Sequence, residues 1–137
     1  MEVYTRFIDQ GVFLDYNANM VCNRVYEYML SRGDVISDAK ATLAITGTVA
    51  KIIQGAALSQ VKVIPFVTAD LQLFNYFFKG LAEYLGAKGV VKYSESLHME
   101  VDGGIFIELW YMDVVGTILT VDTLTVQDVA DIPAHIN

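Results

Sequence analysis

Residues 41–70 read ATLAITGTVAKIIQGAALSQVKVIPFVTAD, and the fold is decided in this stretch. Residues 42–46 form a short apolar, β-prone run that stops at Thr46-Gly47-Thr48. Val49, Ile52 and Ile53 then recur at the spacing of a helix face, with Gly55 placed to close it. Thr46 or Thr48 can cap that helix. Residues 61–67 are almost continuously apolar, as a central strand of an α/β sheet is. A strand, a glycine turn, a short helix and a second strand follow one another directly.

The flanks extend this pattern in both directions. Upstream, 3–14 is β-prone and interrupted by Gly11. Asp15 and Asn17 are helix N-cap candidates, and Val21, Val25, Tyr28 and Met29 recur at helical spacing before Gly33. A helix over 17–32 follows, then a loop over 34–40. Downstream, Asp70 can cap a helix that Gly86 ends. Leu71, Phe74, Phe78, Leu81 and Leu85 form one stripe, and Leu73, Phe77 and Tyr84 form a second. Two stripes cover more than one face, so this helix is widely buried or used in assembly.

The remainder is β-rich, with strands expected over 90–94, 97–101 and 105–111. Asp102-Gly103-Gly104 is a hairpin signal. A three-residue loop sets Val101 against Ile105, Met99 against Ile107 and Leu97 against Leu109, so apolar meets apolar on one face. A further strand over 118–121 and a short helical turn from Thr125 or Asp128 complete the chain, and its last residues are expected to fray. The order α-β-α-β-α-β-β-β gives an α+β fold: a mixed sheet with helices mainly on one face.

Length and composition bound the function. The chain has 137 residues and reads as a single domain over 1–137. Hydrophobic residues make up 54% and charged residues 18%, so some apolar surface is expected to meet a partner. The net charge of −7, with basic residues scattered, opposes nucleic-acid binding. The lone cysteine, Cys22, permits no disulfide framework and no Cys/His metal spacing, and reads as a small buried thiol. The first residues lack the basic start and apolar core of a signal peptide, and no apolar run is long enough to span a membrane. A cytoplasmic protein is expected.

TGTVAKIIQG followed by VKVIPFVTAD resembles the opening of the minimal nucleotidyltransferase superfamily, and the resemblance covers residues 17–112. In that family a Gly-Ser or Gly-Gly turn holds nucleotide phosphate at a helix N-terminus. An Asp-x-Asp pair on the next strand and a third carboxylate on a later one hold the metal ions. Gly47 and Thr48 match the turn. Val63 and Pro65 stand where the Asp-x-Asp pair belongs, and Glu108 matches the third acid. Mg²⁺ needs hard oxygen ligands. The resemblance therefore implies a degenerate member, with no metal, no cofactor and no catalytic residues for nucleotidyl transfer. Pro65 lacks a ladder donor, so it is expected at an edge, a bulge or a strand end.

Other residues carry weaker signals. His98 and Glu108 fall opposite each other in the preferred hairpin register, with Ser94 and Ser96 nearby. A His–carboxylate pair suits acid/base chemistry, but a cross-strand polar pair on the less buried face is the preferred reading, since no nucleophile accompanies this histidine. Asp113, Asp122, Asp128 and Asp131 read as an acidic surface, and His135 as solvated. Phe77, Tyr84 and Trp110 are interface candidates, since interfaces favour aromatics. The expected function is a non-catalytic protein acting through protein contacts, as a homo-oligomer or an accessory subunit, with a phage or mobile element as one setting. The alternative is a nucleotide-binding sensor without turnover, using Gly47 and Thr48 with Lys62 or Lys51 for phosphate.

Overall fold

The computed structural model describes residues 16–31, 43–57, 59–101, 104–121 and 124–136. The elements are α1 (Tyr16–Ser31), β1 (Ala44–Ile45), α2 (Gly47–Ile53), β2 (Val63–Thr68) and α3 (Leu71–Leu85), then β3 (Val90–Lys92), β4 (Ser96–Val101) and β5 (Ile105–Tyr111), then β6 (Ile118–Val121), β7 (Leu124–Gln127) and a 3₁₀ turn, Val129–Asp131. The expected segment 3–14, the loop 34–40, the Gly33 cap and Asp122 lie outside the described residues.

The fold is α+β, and the described strands form one mixed sheet in the order β3-β4-β5-β2-β1-β7-β6. β3, β4 and β5 make the expected antiparallel meander, and the hairpin register is the expected one: Val101 faces Ile105, Met99 faces Ile107 and Leu97 faces Leu109. The chain then departs from a meander. β6 does not join β5. It pairs with β7, a strand the periodicity did not reveal, and β7 lies parallel to β1 at the far side.

The helices share one face of the sheet. Val25 and Tyr28 of α1, Val49 and Ile52 of α2, and Phe74, Phe78 and Leu81 of α3 join Ile45, Ile64, Ile107 and Leu109 in one core. Asp70 caps α3 as its position suggests, accepting from the Gln72 and Leu73 amides at 2.9 and 3.1 Å. Gly86 ends it in the left-handed conformation. Leu71, assigned to the buried stripe, is 55% exposed because it opens the first turn, while Leu73 and Phe77 turn inward.

Pro65 is not at an edge. It lies inside β2, a central strand, opposite Glu108 of β5. The reason is local. Its carbonyl accepts the Thr46 amide at 3.0 Å, so its missing N–H would face β1. β1 ends at Ile45, and the Thr46 carbonyl turns into α2 to accept from Ala50. No ladder bond is lost.

Candidate functional site

The strand register lays out the helix-free face in cross-strand rows. One row runs Val91, His98, Glu108, Pro65 and Thr46 across β3, β4, β5, β2 and the end of β1. The row above it runs Tyr93, Ser96, Trp110, Val67 and Ala44. The row below carries Glu100, Phe106 and Val63. Val63, Pro65 and Glu108, the positions that the resemblance sets against carboxylates, therefore share this face. Glu108 is the one acid of the three.

Glu108 is engaged. Its Oε1 accepts from the Trp110 indole N–H at 2.8 Å, and its Oε2 lies 3.4 Å from His98 Nδ1. The other nitrogen of His98 lies 2.8 Å from Ser96 Oγ. Tyr93 and Trp110 stand edge-on to the His98 ring, at centroid distances of 4.9 and 6.0 Å. The cross-strand pair read from sequence is thus real, and Ser96 and Trp110 complete it. The Ser–His–Glu order has the form of a nucleophile relay. Ser96, however, is buried at 3% exposure, and its hydroxyl lies against the imidazole.

At the other end of the face, Gly47 adopts φ 64° and opens α2. The structure brings Gly47, Thr48 and Lys62 to one end of the sheet, because β1 runs antiparallel to β2 and Thr46 meets Pro65. Gly47 is buried, Thr48 half-buried and Lys62 exposed. Lys62 precedes β2 rather than lying in it, and its carbonyl accepts the Phe106 amide at 2.8 Å. β2 is a central strand, so Lys62 does not lie on an edge of the sheet.

Thr46 takes the N-cap position of α2 but makes no capping hydrogen bond with its side chain. Its hydroxyl, fully buried, donates instead to Gln127 Oε1 at 2.6 Å. Gln127, also fully buried, donates from Nε2 to the carbonyls of Val115 and Asp131 at 2.7 and 3.1 Å. Gln54 donates to the Gln127 carbonyl at 2.8 Å and accepts from the Val129 amide. The segment 112–117, crossing from β5 to β6, lays Val115 on Ala44 and Val67, with Met112 and Trp110 beside them. This half of the face is closed by the chain itself. No periodicity marks Gln127 in the sequence; Thr46, which donates to it, is 81 residues away.

The remaining candidates are placed as follows. Phe77 is buried against Tyr28, at a ring distance of 5.4 Å. Tyr84 is 39% exposed and bonded to α1: its hydroxyl donates to Glu27, its carbonyl accepts from Arg24, and the Arg24 guanidinium lies over its ring. Trp110 is partly buried and meets His135 edge-on at 5.3 Å. Two of the acids read as solvated surface are structural: Asp128 caps the 3₁₀ turn, and Asp131 accepts the Thr117 amide at 2.9 Å. Burial raises the Cys22 thiol well above its ordinary range. The Asp113 carboxylate, accepting from the Tyr111 hydroxyl, raises that phenol. Among the described residues, no cluster of His, Cys, Asp and Glu could hold a metal ion, and no helix is long and apolar enough to cross a membrane.

No family model matches the chain, and no curated protein is similar to it. Among solved structures it is similar to a candidate nucleotidyltransferase from Thermotoga maritima, at 13% identity over 74% of each chain and a TM-score of 0.40.

Proposed function

We propose that the chain is a degenerate nucleotidyltransferase-like domain that does not transfer nucleotides and acts through protein contacts in the cytoplasm. The observation that carries this reading is the composition of the helix-free face. Val63 and Pro65 stand opposite Phe106 and Glu108 where a metal-dependent transferase needs paired carboxylates. The one acid present is held by Trp110 and His98. One carboxylate without partners does not hold a pair of divalent ions. Contact with a protein is supported by the open half of the same face, where Val91, Tyr93 and Phe106 are 53, 56 and 40% exposed.

A thermal-unfolding screen against ATP, GTP, CTP and UTP, with and without Mg²⁺, tests the first half of the proposal. A ligand that binds only the folded state must raise the midpoint, by about 9 °C at a hundredfold excess over its Kd. No shift at millimolar nucleotide is the expected result. A Mg²⁺-dependent shift overturns it.

A second reading, a nucleotide sensor, is favoured by the positive-φ turn at Gly47 and by the shared location of Thr48 and Lys62. A Mg²⁺-independent shift that is lost in Lys62→Ala and in Gly47→Val would select it.

A further inference from the structure

We draw no further inference here: the strongest candidate, the open half of the helix-free face around Val91, Tyr93 and Phe106, is an exposed apolar patch, and nothing in the structure shows what covers it.

Discussion

At the scale of single residues, Gln127 holds the closed half of the sheet face. It accepts from Thr46 and donates to Val115 and Asp131, all without exposure of its own. Gln127→Leu keeps the volume and strands the Thr46 hydroxyl and the Val115 carbonyl. The expected loss is about 2–4 kcal/mol, read from the urea midpoint. Thr46→Val in that background removes the orphaned hydroxyl and recovers about 1 kcal/mol. Strictly additive effects of the two changes would show that the pair is not coupled. Cys22 makes a simpler case. It is fully buried and its thiol is pushed up, so the folded protein should not react with a thiol reagent at pH 8, and denaturant should release one thiol per chain. Tyr111 titrates late because Asp113 accepts its proton's hydrogen bond, with desolvation and the nearby charge adding to the shift. A raised folded value means that its stabilising contribution is complete below the ordinary phenol range and is lost as pH rises through the folded value. Asp113→Asn should lower the Tyr111 midpoint in an ultraviolet titration toward about 10.

At the scale of elements, α1 and α3 meet with almost no space between them. A Cβ added at Gly80 would collide with the Tyr28 hydroxyl. Gly80→Ala raises helix propensity by about 1 kcal/mol, yet it should destabilise the chain because the ring is held between Phe77 and Tyr84. Tyr28→Phe removes the colliding oxygen and should reverse the sign, a comparison thermal midpoints resolve. A stabilised Gly80→Ala in the wild-type background would disprove the contact. The same elements show what was legible in the sequence. The Asp70 cap, the Gly86 stop and the 97–109 hairpin register were readable because capping and period-two alternation depend on neighbours a few residues away. Leu71 was misplaced because two overlapping stripes leave the rotation of a helix open until its packing partner is known. Pro65 was misread for a related reason. Its tolerance depends on where β1 ends, which no residue of β2 encodes. At the site, the opposition of His98 and Glu108 was legible, while the engagement of Thr46 by Gln127 was not, since those residues are 81 apart.

At the scale of the whole molecule, the chain after β5 carries the sheet past β1. β1 is only two residues long and is held between β2 and β7. Its parallel partner, Val126 opposite Ile45, arrives after the chain has crossed the helix-free face. The tail does not fray as its position suggested: Ile136 is 2% exposed, and its amide donates to the Pro133 carbonyl. Contacts of this sequence separation form late and are lost together. A chain ending at residue 117 lacks β6 and β7, leaves Ile45 without its neighbour and strands Thr46. It should lose the cooperative urea transition and bind an apolar dye such as ANS, as a collapsed but unpacked chain does. Ile136→Ala is the graded form of the same cut. It leaves every strand in place and removes one buried side chain, so the transition should remain cooperative with an unchanged slope and a stability lower by about 2–5 kcal/mol. If the shortened chain instead unfolded with the full slope, β1 and β2 would be held by the helices alone, and the crossover would be a cover rather than a structural member.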